Sequence, residues 1–486
     1  MNVLVLTPDT DIDRRIILQA NVLVDLGHSV TIIGVPYHGE NFLSGHINDS
    51  IRVKRIDAKD ISYDNLLVKL YKKFHEKINN MSVSRNKALN SYYNKTAIYI
   101  DETSNLKSLK RINNKVVSVN IKIMNFTSTK IIALLQRFVN LMYRVALFFV
   151  RLFKINFFPN FDKAFFNTGI VENADIVIAN DLPSLKAASM IAKEKGIPLI
   201  YDAHENYTEQ CTLTKKYAKI LEKVEAEILP NVDFWIVPNE LLGNCMIEKY
   251  AEKYNKEIKE PLVIQNAIDK WKEYEENKNC DTIRIKLGLD GNKKILLFQG
   301  GFLAKRNLEN LVKSMKYVTN DSIVLVMLGF GDFVKVLKNI VERERLQGRV
   351  IFMEAVPQYE LLKYTCSADV GIIPYPAVDK NTYYCSPNKL YEYIQARLPI
   401  VANDLPFIKK VLEDNEIGKV EDFSNPRKIA QAVDTIFNGE IELKKYKYNL
   451  NELAELICWE AEKQKLTDKY CEHIKDFNSL AKASTI

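Results

Sequence analysis

The 486-residue chain lacks the motifs that mark the common cofactor chemistries. No G-x-G-x-x-G follows its first apolar run, whose continuation "LTPDTDIDRR" holds no glycine at all, which argues against a dinucleotide-dependent oxidoreductase. The absence of G-x-x-x-x-G-K-[ST] argues against P-loop chemistry, and without an H-E-x-x-H or a Cys/His cluster no metal site is expected. The seven cysteines, at 211, 245, 280, 366, 385, 458 and 471, are odd in number and form no C-x-x-C pair. That usage predicts a reduced, cytosolic protein. "MNVLVLTP" begins without a charged leader and cleavage site, so the catalytic body is expected in the cytoplasm. No internal repeat of about 20 to 50 residues is visible. Acidic residues are missing from one long segment: between Thr103 and Phe161 there are ten Lys/Arg and no Asp/Glu.

What is present describes an ordinary folded chain, 47% hydrophobic and 27% charged, with a net charge of +7. Its length exceeds what one core usually organises, so two domains are expected. "NVLVLT", a helical stretch ending at Gly27, and "SVTIIGVP" give a β-α-β order that predicts a parallel sheet. The pattern returns in "ADIVIAND", "IPLIYDAHE" and "VDFWIVPNE". A second series runs from "KKILLFQGG" through "SIVLVMLGFGD", "RVIFMEAV" and "ADVGIIPY" to "LPIVAN". Two α/β sheets are the simplest account. The predicted boundaries are a first domain over 1–265, a second over 266–455, and a C-terminal helix over 456–486 that packs back on the first domain. The polar stretch 267–286 suits the join.

Residues from about 58 to 170 break the pattern and read as a basic helical insertion. Within it "KIIALLQRFVNLMYRVALFFVRLFK" (130–154) is long and apolar, but Arg137, Arg144 and Arg151 recur every seven residues. Three central arginines oppose a membrane span. An amphipathic helix on an anionic membrane surface is the sharper reading, against a domain or partner helix whose arginines face solvent. No nucleic-acid partner is expected.

Four motifs are candidates for chemistry. In "SPNKLYEYIQARLPIVAN" (386–403), Ser386 suits an N-cap and Pro387 the first helical position, with Pro399 barring helix after Leu398. A helix over about 387–397 would expose free N–H groups at Ser386, Asn388, Lys389 and Leu390, an end that favours an anion by about 0.3–2 kcal/mol. Glu392 lies three positions beyond Lys389 on the same face. The pair is either a solvated helix face or a place for a diphosphate and its ribose. In "FQGGFLAKRNLENLV" (298–312), Gly300 and Gly301 let backbone approach a ligand, and Lys305 and Arg306 can bind phosphate. "LGFGD" (328–332) puts Gly329 at another strand end, and "DTDID" (9–13) either binds metal–diphosphate or caps the next helix.

These motifs in this order, with "VIFMEAVPQYELLKYTCSADVGIIPY" between them, resemble the nucleotide-sugar domain of glycosyltransferase family 4, and "DRRIILQANVLVDLGHSVTII" and "IPLIYDAHENY" resemble its acceptor-side half. The resemblance implies a GT-B fold and a retaining, metal-independent transfer from a nucleoside diphosphate sugar. It implies that Glu392 binds ribose hydroxyls, that Arg306 contacts the donor diphosphate with Lys305 or Lys389 in support, and that His204 lies near the donor sugar. Two departures stand out. Tyr384 occupies the place of the family's first E-x7-E glutamate, and Gly301 and Phe302 leave no counterpart for an arginine. The expected acceptor is a lipid-linked saccharide or cell-envelope glycan, and the expected location is the inner face of the cell membrane. The rivals are a nucleotide-sugar epimerase on the same frame and an inactive membrane-bound scaffold.

Overall fold

The computed structural model describes residues 1–36, 44–56 and 160–483, with isolated helical positions between 73 and 142. The chain divides into two compact units, Asp57–Ala164 and Met1–Ile56 with Phe165–Ile486. The larger unit contains two sheets, as the two apolar series predict.

The first sheet comprises β1 (Asn2–Leu6), β2 (Ser29–Gly34), β3 (Ser44–Asn48), β4 (Ile51–Arg55), β5 (Ile176–Asn180), β6 (Leu199–Asp202), β7 (Phe234–Val237) and β8 (Leu262–Val263). Their spatial order is β3-β4-β2-β1-β5-β6-β7-β8, and every pair is parallel except β3 with β4. The central strands are continuous apolar runs because both faces are covered. The antiparallel β3–β4 edge escapes a sequence reading because Arg52 and Lys54 interrupt its apolar residues and face Glu172.

The second sheet comprises β9 (Lys294–Gly301), β10 (Ile323–Phe330), β11 (Val350–Glu354), β12 (Val370–Ile373), β13 (Ile400–Asn403) and β14 (Gly418–Glu421), ordered β11-β10-β9-β12-β13-β14 and parallel throughout. The winding reverses between β1 and β5 in one sheet and between β9 and β12 in the other. Ligand crevices of doubly wound sheets open at such points, beyond the carboxyl ends of the strands.

Five helices place the site. Helix α1 (Arg14–Asp25) starts at Asp13, whose side chain accepts the Arg15 N–H at 2.8 Å. Gly27, at φ +83°, turns the chain after it. Helix α2 (Asp181–Lys195) follows β5 and ends at the left-handed Gly196. Helix α3 (Asn388–Gln395) lies between β12 and β13. Helices α4 (Glu440–Leu456) and α5 (Trp459–Ala483) are separated by a break: Ile457 leaves helical geometry at ψ 83°, and the Trp459 N–H donates to Ile268 O at 2.8 Å. Leu450, Leu453 and Ala454 of α4 belong to the second sheet's core. Trp459, Leu466 and Tyr470 of α5 enter the first sheet's core beside Val3, Val5, Ile16 and Phe234. Burying a side chain such as Leu466 stabilises that docking by roughly 1.5–3 kcal/mol.

In the unit Asp57–Ala164 the described positions 133–135 and 137–142 are helical, and Leu134, Phe138, Leu141 and Met142 are exposed. Most of the predicted insertion, including residues 143–154 with Arg144 and Arg151, lies outside the described residues. Among those described, no helix is long and apolar enough to cross a membrane.

Candidate active site

Strand β9 delivers Gly300 and Gly301 to the crevice. Gly300 has φ +117°, and a Cβ on it would stand 3.7 Å from the Lys389 Nζ. Gly329 serves packing, since a Cβ there would meet the Gly300 carbonyl oxygen at 1.9 Å. The loop after β9 carries two non-glycine residues in the left-handed region, Lys305 at φ +69° and Asn307 at φ +62°. Arg306 lies over the Tyr375 ring, 5.0 Å from its centroid, and donates to Gly301 O at 3.4 Å. Lys305 reaches toward the first-sheet half instead, with its Nζ 3.4 Å from Cys211 Sγ.

Lys389 and Glu392 do not form a solvated helix face: they are only 4% and 9% exposed. The Lys389 ammonium sits 3.8 Å above the Phe298 ring and 4.7 Å from Tyr375, without a hydrogen-bond partner among the described residues. Burial, reinforced by the neighbouring Arg306 charge, holds its pKa well below the ordinary lysine value. Glu392 is held through one oxygen, Oε2, which accepts from Gln299 Nε2 at 2.6 Å. Gln299 Oε1 in turn accepts from the Thr365 hydroxyl at 2.8 Å. Glu392 Oε1 therefore remains available to hydroxyl donors.

The helix tip differs from the sequence reading. Pro387 occupies the N-cap position without a side-chain cap, and the Ser386 hydroxyl pairs with Tyr391 OH at 2.6 Å. Leu390 is wholly buried and its N–H donates to Pro387 O at 3.0 Å, so it offers no group to a ligand. Asn388 is exposed at the tip. The Tyr384 ring packs edge-on against Tyr383, and its carbonyl accepts from Asn239 Nδ2 at 2.9 Å.

On the first-sheet half, His204 follows β6 and stands between two carboxylates. Its Nε2 is 3.2 Å from Asp202 Oδ2, its Nδ1 3.7 Å from Asp181 Oδ2, and its backbone N–H donates to Asp181 Oδ1 at 3.0 Å. Burial alone would favour the neutral ring, but Asp202 and Asp181 outweigh it and push His204 up to about 9. Burial raises Asp181 to about 7 against the pull of His204. Asp202 moves the other way: burial opposes its charge, yet Arg15 and His204 hold it well below the usual carboxylate range. Arg15 grips both Asp202 oxygens, at 3.2 and 2.9 Å, and Gln19 adds a third donor. His204 is thus an imidazolium at neutral pH, suited to donating hydrogen bonds.

The structure brings Arg306, Lys389, Gly300 and Gly301 to one crevice and places Glu392 one helical turn from Lys389, whereas Gly329 and Leu390 pack. Sequence reasoning missed Gln299, Thr365, Arg15, Asp202 and Asp181. Gln299 and Asp202 sit at strand ends beside chosen residues, a signal that could have found them. Among the described residues no group of three or more His, Cys, Asp or Glu side chains is arranged to hold a metal ion.

Residues 279–452 match the profile of the family Glycosyl transferases group 1. The chain is 24% identical over 234 residues to alpha-monoglucosyldiacylglycerol synthase of Streptococcus pneumoniae, a match covering 47% of this chain and 51% of that one. It is 25% identical over 201 residues to an uncharacterized glycosyltransferase of Methanocaldococcus jannaschii, covering 40% and 50%. The chain spans about half the length of the curated relatives it matches. Among solved structures, sucrose-phosphate synthase from Thermosynechococcus elongatus superposes with a TM-score of 0.64 at 14% identity, over 98% of this chain and 99% of that one. Anabaena HepE in complex with UDP and glucose gives 0.59 at 11%, over 98% and 100%. These likenesses show the fold, which is GT-B.

Proposed function

We propose that this chain, whose residues 279–452 form a Glycosyl transferases group 1 domain, is a retaining glycosyltransferase that moves a sugar from a nucleoside diphosphate sugar to a membrane-associated acceptor. The observation that carries the reading is Lys389: a buried ammonium without a hydrogen-bond partner among the described residues, beside Arg306 and pointing at the glycine end of β9. An isolated buried cation is costly, and two adjacent ones more so. A diphosphate would satisfy both.

In this reading Arg306, Lys389 and the uncapped tip of α3 at Ser386 and Asn388 stabilise negative charge developing on the departing diphosphate, without a metal. Glu392 Oε1 accepts the ribose hydroxyls while Gln299 holds the carboxylate in place. His204, held between Asp202 and Asp181, positions the sugar or acceptor. Lys305, on the far side of the loop, joins when the crevice is filled. Two similar proteins support a donor of this class: one carries a glycolipid synthase name, and one was solved with UDP and glucose. A membrane-associated acceptor, a lipid-linked saccharide or other envelope glycan at the inner membrane face, is favoured by the segment with ten basic and no acidic residues. The exposed Leu134, Phe138, Leu141 and Met142 favour it too.

The test is calorimetry with UDP, GDP, ADP, CMP and their common sugars against wild type and Glu392→Ala. One nucleoside diphosphate should bind wild type and lose affinity in the variant. Equal binding to both proteins, or binding of none, overturns the donor site.

A further inference from the structure

We propose that Arg15 and Asn266 are positioning residues that fix the His204 imidazole relative to α3 through one continuous chain of hydrogen bonds. The proposal rests on the donor site described above. The chain has five members. His204 Nε2 lies 3.2 Å from Asp202 Oδ2. Arg15 Nε and Nη2 close on the two Asp202 oxygens at 3.2 and 2.9 Å. Arg15 Nη1 then donates to Asn266 Oδ1 at 2.7 Å and to Ile264 O at 2.8 Å. Asn266 Nδ2 donates to Ser386 O at 2.8 Å, two residues before α3 begins.

Each link joins a different segment: the end of β6, the first turn of α1, the chain leaving β8, and the loop entering α3. The directions are forced. Arg15 can only donate and the Ser386 carbonyl can only accept, so the Asn266 amide has one orientation that serves both. Arg15 commits its planar fork to Asp202, Ile264 and Asn266, a pattern that lysine cannot reproduce. A shift of α3 on taking a diphosphate therefore passes through Asn266 and Arg15 to the carboxylate that orients His204. The other charged groups around the imidazole are Asp181 on its Nδ1 side, with Glu205 and Asp9 near Asp181.

A second bond between the same two halves supplies the control: Asn239 Nδ2 donates to Tyr384 O at 2.9 Å, in the same loop but outside this chain of bonds. The six histidines make ring-labelled NMR practical, with His204→Gln giving the assignment. In ligand-free protein, the His204 ring signals should move in Asn266→Ala and Asn266→Ser and hold still in Asn239→Ala. In wild type, saturating UDP or GDP should also shift them. In the Asn266 variants the nucleotide should bind within about threefold of wild type, while the ring response falls by at least half.

Signals unmoved in both Asn266 variants, or moved equally in Asn239→Ala, reduce the chain to ordinary packing and overturn the proposal. So does nucleotide binding that leaves the wild-type signals still, a result that needs no variant to fold. Failure of UDP, GDP, ADP and CMP alike to bind wild type would sink the donor-site reading instead, and the ligand-free comparison would still decide the role of Asn266.

Discussion

The two halves of the larger unit each bury a charged centre, and they do so in opposite ways. Around His204 and Arg15 every charge has a counter-charge: two aspartates face the imidazole, and the guanidinium closes on one of them. Around Lys389 and Arg306 two cations lie together over aromatic rings, and among the described residues the ammonium has no hydrogen-bond partner. The first arrangement is complete in itself and sets geometry. The second is incomplete and calls for an anion. Stability and binding should therefore separate between them.

The largest effect should come from breaking the complete centre. Asp202→Asn leaves Arg15 buried with its charge uncompensated, and should cost about 3–5 kcal/mol in chemical denaturation. A loss below about 1 kcal/mol would mean that Arg15 finds water, and the contrast would fail. Next, Lys389→Met should weaken nucleoside diphosphate binding by about 1.5–3 kcal/mol, or roughly 10- to 150-fold by calorimetry, while raising the melting temperature of the ligand-free protein. A drop in that temperature would show that the ammonium is satisfied. Gln299→Leu should cost about 1 kcal/mol of the same binding, several-fold in Kd, by freeing the Glu392 carboxylate. Unchanged affinity would remove Gln299 from the site.

The remaining predictions concern protons. His204 is raised from 6.5 to about 9, so the stability it contributes is complete below pH 6.5 and lost as pH climbs through 9. Burial raises Asp181 from 3.8 to about 7, which costs stability progressively from pH 4 to 7. The denaturation midpoint should therefore decline from pH 6.5 to 9, and His204→Gln should flatten that decline. At the other centre the lowered pKa of Lys389 implies proton uptake when a diphosphate binds, up to about one proton per site. Calorimetry in buffers of differing ionisation enthalpy measures it, and a net release would contradict the lowered pKa of Lys389.

Much of the architecture was legible because the buried strands carry it locally. Runs such as "ILLF" and "IVLVML" allow little but covered strands, and glycines at 27 and 196 end α1 and α2 where left-handed backbone is needed. The β3–β4 edge was hidden by its charged residues, and the α4–α5 break by the lack of glycine or proline near Ile457. The site was legible by residue type but not by environment. Lys389 and Glu392 at i and i+3 suit a wet helix face equally well, and only burial decides between the two. Ser386 looks like a cap, yet its hydroxyl finds Tyr391, five residues on. Asn266 acts on Ser386, 120 residues away, and Arg15 on Asp202, 187 away, which no local pattern records.

The chain passes between the two sheets twice, once after β8 and again at Ile457–Trp459, and the Trp459 N–H to Ile268 O bond laces these passes side by side. A paired crossing behaves as a door hung on two pins: it permits rotation about the line through both and resists twist and separation. A single backbone cut in either pass would leave the two halves tethered through the other.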